Sequence, residues 1–569
     1  MILQVSSGKF FTAGERWETP HRASLYTNCG FFTNLTITTQ VGTILPIKPS
    51  GDLRTVSCEV IERLPKLPGG PYPGEQVATS GDSLIQDFAA LLSFCFKAIV
   101  TPDQYLAQRL LFAQRPPLGM VALPKQYLRH TFDTEIAIAE AQIVWTQTFI
   151  AKLIGASRAR YSGAIRAIQR YVTAIHRLAD DLELSYTLLV ASIESLAQEF
   201  DEFEPSWNDY AQDKRILIDD ALTGAPQEIS EKVRCAVLAM EHVAAGRRFR
   251  EFVHDHLPSG FYRGEATAQQ DAAGKGDLDT ALKIAYDLRS KHVHTLAPLP
   301  PNLKGIPTHN DLLVVDGKPT LTIQGLARVA RSVICEFVSR SEHIEHEIYD
   351  FWPEVPGRLT MQMSPIMWIT NEQSYTVKDA RLYLNGYLSM FENAWLTGDP
   401  LSADMRQVLK KIEQLVPGTK KQRDRLPMLV LYYIVATSCP VESLEYLRKF
   451  LLAYHADYFS PSIESLLAHM FAEENPNWPV DESEKLLVEY MKQRHHKNSH
   501  NFGPFFGAAL TLFVAELRRA TGDEPACRRL ITQAVENFPK FATLREFEAR
   551  IQESAIPPIV IDEVLPPKR

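Results

Sequence analysis

The sequence predicts a mainly α protein with a small N-terminal β module, a central helical bundle and a C-terminal α-solenoid-like helical array. The chain has 569 residues, which is too long for one hydrophobic core because domains usually hold about 100–200 residues. β-Branched and aromatic residues alternate only near the N-terminus, whereas apolar residues beyond position 82 recur at helical spacing. Hydrophobic residues make up 45% of the chain, an ordinary globular value that excludes wholesale disorder.

Residues 1–80 are predicted to form the β module and the linker that follows it. Alternation over residues 35–41 and 55–61 predicts strands, and we expect roughly four or five of them. The prolines and glycines of residues 64–74 end the module, since proline lacks a backbone donor and glycine favours turns. Residues 81–129 are then predicted to be a helical connector.

Residues 130–340 are predicted to form the central bundle of roughly four or five helices. Isoleucines at helical spacing place one helix at residues 136–154 and the next at residues 165–175. Further helical patterns cover residues 185–203, 230–256 and 278–293. Asp316 and Gly317 predict a turn into a short strand.

Residues 341–555 consist of amphipathic segments separated by short proline and glycine breaks, which predicts stacked helices. No clean period of about 34 residues is present, so the array is only solenoid-like. Stacked helices commonly present a surface to a peptide or protein, and we expect this part to recognise a protein trigger or partner. The proline-containing residues 556–569 are predicted to be an extended tail.

Charge and cysteine usage limit the partners and the compartment. The chain has 60 Lys and Arg against 68 Asp and Glu, a net charge of −8, so any nucleic-acid site must be a local basic patch. The seven cysteines are scattered singly without a CxxC pair, which predicts reduced thiols in a cytoplasmic protein. The N-terminus resembles no signal peptide, and no apolar stretch is long enough for a membrane span.

The most informative stretch is residues 282–294, LKIAYDLRSKHVH, which ends an amphipathic helix. It contains Arg289, Ser290 and His294, and it resembles the signature of HEPN domains, which is an Arg, a polar residue, a few more residues and a His. Ser290 stands where Asn, Asp or His is often found. Upstream, Glu194 lies in the run LLVASIESL, which resembles the Apea-like branch. The resemblance covers roughly residues 130–340.

This resemblance implies a metal-independent endoribonuclease that needs no cofactor, with Arg289 and His294 as catalytic residues and Ser290 and Glu194 as supporting residues. It also implies a homodimer with a composite cleft. Proteins of this branch are often prokaryotic toxins or antiphage effectors that cut tRNA or other cellular RNA. The chemistry fits, because a guanidinium binds phosphate and an imidazole transfers protons near neutral pH.

Helical geometry sets a condition on this site. At ~100° per residue, Arg289 and His294 lie about 140° apart, so they converge only if the helix loosens after Lys291 or if two copies face each other. The alternative is structural: Arg289 pairs with Glu194 or Asp287, and His294 caps the helix C-terminus. The whole protein would then be a non-catalytic RNA- or partner-binding scaffold with a degenerate HEPN domain.

Further basic and histidine residues are weaker candidates. Lys291 and His292 extend a predicted RNA-binding track, as do Arg247, Arg248 and Arg250, although the three arginines also fit a solvated helix face. The stretch from Arg494 to His500 also fits the Arg-x5-His pattern and is a competing nuclease motif. Its His496 and His500 have the i,i+4 spacing of zinc ligands but lack the Glu of HExxH and an obvious third ligand, so no metal site is predicted. A second basic cluster, which includes Lys410 and residues 420–425, lies in the C-terminal array.

Overall fold

The computed structural model describes the whole chain except residues 1–2, 11–15, 32–35, 47–52, 66–80, 117–119, 202–205, 208–209, 211, 241–244, 352–353, 355–362, 402, 438–443, 459, 498, 553 and 568–569. The protein is mainly helical, with 62% helix and 9% strand, which confirms the predicted class. The chain divides into two compact units, Met1–Leu359 and Thr360–Arg569. No helix among the described residues is both long and apolar enough to cross a bilayer.

The strands lie in the first unit. They are β1 (Arg16–Thr27), β2 (Cys29–Phe31), β3 (Ile37–Thr38), β4 (Gly42–Pro46), β5 (Arg54–Pro65), β6 (Val100–Thr101), β7 (Ile136–Ile138), β8 (Leu312–Val315) and β9 (Lys318–Leu321). Five of them form a sheet in the order β3-β4-β5-β1-β6, in which every pair is antiparallel. The small N-terminal sheet is therefore confirmed, and it takes its last strand from beyond residue 80.

Helical periodicity predicts five helical segments in the first unit, and helices occur in each of them, although several other helices of this unit are not predicted individually. The helices of the first unit are α1 (Leu3–Ser6), α2 (Asp82–Phe96), α3 (Gln104–Phe112), α4 (Pro124–Tyr127), α5 (Glu140–Gly155), α6 (Arg158–Arg177), α7 (Leu182–Phe200), α8 (Gln212–Ala221), α9 (Gln227–Met240), α10 (Ala245–Asp255), α11 (Lys275–Thr295), α12 (Pro301–Gly305) and α13 (Ile323–Ser339). Ser157, Asp181 and Thr322 cap α6, α7 and α13 by accepting backbone N–H groups of the first turn. Helices α6, α7, α10, α11 and α13 surround a core that also includes the inward face of the sheet.

Two details of the first unit bear on the predictions. Ile136 was expected in a helix but lies in β7, which pairs in parallel with β2, and the helix begins only at Glu140. The predicted turn at Asp316 and Gly317 is present, with φ of 50° and 74° respectively. These positive angles match a two-residue hairpin turn between β8 and β9.

The second unit is helical among its described residues. Its helices are α14 (Ala380–Thr397), α15 (Arg406–Leu415), α16 (Gln422–Thr437), α17 (Leu444–Ala453), α18 (His455–Tyr458), α19 (Ile463–Ala472), α20 (Val480–Gln493), α21 (Gly503–Ala520), α22 (Glu524–Asn537), α23 (Ala542–Ile551) and α24 (Ile561–Val564). They surround a separate hydrophobic core. The solenoid-like character of this array stays a prediction.

The C-terminal tail differs from the predicted extended arm. Ile556, Ile559 and Leu565 are buried in the core of the second unit. The indole N–H of Trp395 donates to the carbonyl oxygen of Leu565 at 3.0 Å. The apolar residues between the prolines explain the difference, because their burial fixes the segment against the helices.

Candidate functional site

Arg289 and His294 lie on one uninterrupted helix. Helix α11 runs through Thr295 and ends at Leu296, which has φ of 53° and donates its N–H to the carbonyl oxygen of His292. The helix therefore does not loosen after Lys291. Because helical geometry keeps the two side chains about 140° apart, one chain does not bring them together. His294 is exposed.

The structure does bring Arg289 together with Glu194. The guanidinium of Arg289 forms an ion pair with Glu194 of α7, and the two side chains are 21% and 6% exposed respectively. The carboxylate also accepts hydrogen bonds from the Tyr286 hydroxyl at 3.2 Å and from the Gln198 amide at 3.3 Å. Burial, followed by the Glu194 charge, raises the pKa of Tyr286 to about 12. An Arg289–Glu194 contact is expected if Glu194 supports a catalytic Arg289. It is equally expected if the pair has only a structural role, so the contact does not decide between the two.

The Arg289–Glu194 pair lines an open cleft of ≈ 1140 Å³ in the first unit. Residues of α2, β6, α6 and α7 form its other walls. The cations in the lining are Arg166, Arg170 and Arg289, and the imidazole is that of His176. His294 is not among the lining residues. We call this cavity the α6 cleft.

Sequence reasoning missed His176. It lies near the end of α6, and its Nε2 is buried with no hydrogen-bond partner among the described residues. Burial, followed by the charge of Arg177, lowers the pKa of His176 to about 4, so the imidazole is neutral at pH 7. The only sequence signal was a polar residue directly after the apolar Ile175, and no motif marks it.

The residues next to the motif have different surroundings. Lys291 is exposed and Ser290 is partly buried. His292 lies with Nδ1 3.2 Å from the carbonyl oxygen of Ala297. It lines a smaller cavity of ≈ 350 Å³ whose other charged residues are Asp180, Asp181 and Glu183.

The three arginines predicted to extend the RNA track are already engaged. Each one forms an ion pair: Arg247 with Glu251, Arg248 with Asp201, and Arg250 with Asp279. The Arg248 pair is bidentate, with N–O distances of 2.8 and 2.9 Å. A phosphate at this surface would compete with these carboxylates. Their predicted role in RNA binding therefore has no added support from geometry.

The C-terminal histidines form no candidate metal centre within the described residues. The Nε2 of His500 lies 2.9 Å from Oε1 of Glu464, and both side chains are buried. His496 is exposed. In the second basic cluster, Arg425 pairs with Asp457, whereas Lys410, Lys420 and Lys421 are exposed.

Comparison of the chain with protein-family models, with curated proteins and with solved structures finds no match. The candidate site therefore depends on its own geometry and on the resemblance of its motif.

Proposed function

We propose that this protein is a metal-independent endoribonuclease that cleaves cellular RNA, with tRNA as the first substrate to test. The observation that carries the proposal is the position of Arg289 beside a large open cleft, where the buried Glu194 carboxylate orients its guanidinium. A guanidinium held in this way binds a phosphate and stabilises the extra charge of the pentavalent transition state. The adjacent 2′-hydroxyl is the nucleophile.

The proton transfer is assigned to His294 of a second copy. Within one chain His294 lies about 140° around α11 from Arg289, and it is exposed. A two-fold axis that brings two α11 helices together would place each exposed His294 near the Arg289 of the other copy. The His294 imidazole would then accept the 2′-hydroxyl proton or protonate the leaving oxygen.

The primary test is RNA cleavage by the purified full chain in EDTA. We expect cleavage to persist in chelator, to give 2′,3′-cyclic phosphate ends, and to fall at least about 100-fold in Arg289→Ala and in His294→Ala, since each substitution removes a catalytic group. Arg263→Ala is the matched control, because Arg263 is exposed and its guanidinium donates to the carbonyl oxygen of nearby Ser259. Strict dependence on a divalent metal, or full activity of His294→Ala, would contradict the assignment.

A mixing experiment tests the composite site. If Arg289 and His294 come from different copies, a dimer of one Arg289→Ala chain and one His294→Ala chain keeps one intact site. Equal mixing of the two inactive variants should then restore about a quarter of the wild-type activity. Light scattering should show a dimer. A monomer whose specific activity survives dilution would contradict this part of the proposal.

The second candidate function is a non-catalytic scaffold that binds RNA or a protein partner. The observation that favours it is the Arg289–Glu194 ion pair, which engages the guanidinium without any ligand, together with the absence of His294 from the cleft lining. Under this alternative the protein binds RNA in EDTA and leaves it intact. Growth arrest on expression in a bacterial host, reversed by His294→Ala, would favour the nuclease instead.

A further inference from the structure

The α6 cleft contains two groups that the predicted motif does not include. Arg170 and His176 both project from α6 into the lining of the cavity that Arg289 also lines. They are separated by six positions, which corresponds to about 9 Å along a helix axis. The cleft is therefore elongated along α6 rather than centred on Arg289.

The carboxylates of the cleft are all engaged. Glu194 pairs with Arg289, Glu199 with Arg166, Asp87 with Gln169, and Asp103 with the backbone N–H of Leu106. Two of the three arginines are neutralised by these contacts. Arg170 is exposed, and its guanidinium has no ion pair or hydrogen bond with any part of the chain that the structure describes.

Two buried nitrogen atoms at the cleft also lack partners among the described residues. They are Nε of Arg289 and Nε2 of His176. A buried polar nitrogen without a hydrogen bond costs free energy, and such an atom beside a cavity indicates a missing ligand. With its pKa lowered to about 4, the His176 imidazole is neutral at pH 7 and has one donor and one acceptor nitrogen.

We propose that a single-stranded RNA segment lies along α6 in this cleft, with a phosphodiester on Arg170 and a ribose 2′-hydroxyl hydrogen-bonded to His176. This inference rests on the proposed function and names where its substrate binds.

The chemistry of the lining favours an RNA strand over a free anion. A phosphodiester carries a single charge, which suits one unpaired guanidinium among engaged carboxylates. The volume of ≈ 1140 Å³ exceeds the range of about 300–1,000 Å³ that is typical of small-ligand pockets. A 2′-hydroxyl both donates and accepts a hydrogen bond, as a neutral imidazole requires.

The test compares the binding of RNA and DNA oligonucleotides of the same mixed sequence. It uses the full chain carrying His294→Ala, so that RNA stays intact. In this background Arg170→Ala should weaken both polymers about tenfold and lower the slope of log K against log salt by about one, because one phosphate contact is lost. His176→Leu should weaken RNA about tenfold and leave DNA unchanged, since only RNA has the 2′-hydroxyl.

Two further variants distinguish the loss of an RNA contact from a disturbance of the local structure. His176→Gln places an amide near the position of Nε2 and should recover most of the RNA affinity that His176→Leu loses. If His176 had only a structural role, the substitutions would not affect RNA binding while leaving DNA binding unchanged. Arg263→Ala removes an exposed arginine elsewhere in the first unit and should bind both polymers as the background does. Thermal denaturation of each variant reports whether it is folded.

The outcomes distinguish this inference from the proposed function. Unchanged binding in both Arg170→Ala and His176→Leu, or equal affinity of the background protein for RNA and DNA, overturns the inference even if the wild-type chain cleaves RNA. The expected binding pattern with no RNA cleavage by the wild-type chain supports the inference and overturns the endoribonuclease proposal.

Discussion

At the scale of single residues, the motif and its upstream glutamate identify two residues that line the α6 cleft, Arg289 and Glu194. The resemblance pointed to Arg289 and Glu194, which are far apart in the sequence, and the structure places their side chains in an ion pair. The same resemblance could not locate His176, because its environment arises when α6 packs beside the cleft. Burial and missing hydrogen bonds are tertiary properties, and no spacing rule in the sequence reports them.

A prediction at this scale concerns the competing histidine His500. Burial by itself raises the pKa of Glu464, but the hydrogen bond and charge of His500 outweigh it, so the pKa of Glu464 lies below its ordinary value of 4.5. A carboxyl pKa that is lower in the folded state stabilises the protein above the unfolded-state pKa. We expect this contribution to be lost as the pH falls below about 4.5. Acid titration of thermal stability, compared between wild type and His500→Ala, measures it.

At neutral pH, His500→Ala should destabilise the second unit by about 3–5 kcal/mol, because it leaves the Glu464 carboxylate buried without its partner. His496→Ala is the control, since His496 is exposed, and it should leave stability unchanged. Neither variant should alter RNA cleavage at a temperature where the protein is folded. Loss of cleavage in His500→Ala protein of unchanged stability and assembly would move the active site to the C-terminal histidines.

At the scale of elements, helical periodicity predicts α5, α6, α7 and α11 and places α9 and α10 in one segment, but it does not predict α13. Strand β7 is a further departure, and long-range pairing accounts for it. The residues around Ile136 form β7 only because β2 lies beside them in parallel, with the N–H of Ile136 bonded to the carbonyl oxygen of Asn28. The spacing between Ile136 and Ile143 is the same whether Ile136 begins a helix or begins a strand. Local pattern therefore placed the isoleucine on the correct buried side but in the wrong element.

A prediction at the element scale concerns the start of α13. Gly325 lies so close to the chain at Asp311 that an added Cβ would be 2.1 Å from the Asp311 carbonyl oxygen. Asp311 is fully buried, with its carboxylate bonded to Arg328 and to the N–H of Ala273. The neighbouring chain has little freedom to move, so Gly325→Ala should lower the free energy of unfolding by about 1–3 kcal/mol.

The control for this substitution is Gly276→Ala in the first turn of α11. No atom lies within 4 Å of the Cβ that would be added there. Alanine at such a position should leave stability unchanged or raise it by up to about 1 kcal/mol, since it restricts the unfolded chain. Chemical denaturation of both variants measures the difference. Equal free energies of unfolding would show that the backbone at Asp311 can move away from the added Cβ without loss of stability.

At the scale of the whole molecule, the sequence predicted the order of the parts better than their boundaries. Composition separated a strand-rich beginning from helices, but the buried residues Leu25 and Val60 of the sheet share one core with Phe88 and Leu278. The predicted bundle ended at residue 340, whereas the first unit continues to Leu359. Contacts made far along the chain decide such boundaries, and a local change in composition does not reveal them.

The boundary leads to a prediction about truncation. Beyond residue 340, Glu347 accepts the backbone N–H of Arg158 at 2.8 Å, and Glu354 forms an ion pair with the Arg158 guanidinium, whose side chain is 5% exposed. A 1–340 fragment would lack both Glu354, which pairs with this buried cation, and Glu347, which accepts its backbone N–H. We therefore expect the 1–359 fragment to fold cooperatively and the 1–340 fragment to be less stable by several kcal/mol, about 3–5 on the scale of broken buried ion pairs.

The same 1–359 fragment tests the division of labour between the units. It contains the entire α6 cleft, Arg289 and His294, whereas the described residues of the second unit form no candidate metal centre. If the second unit recognises a protein trigger or partner, the fragment should cleave RNA with altered control or target choice, and Arg289→Ala should still abolish that cleavage. Cleavage rates of the full chain and the fragment on total RNA measure this. A folded, dimeric fragment without activity would show that the second unit contributes to the chemistry itself.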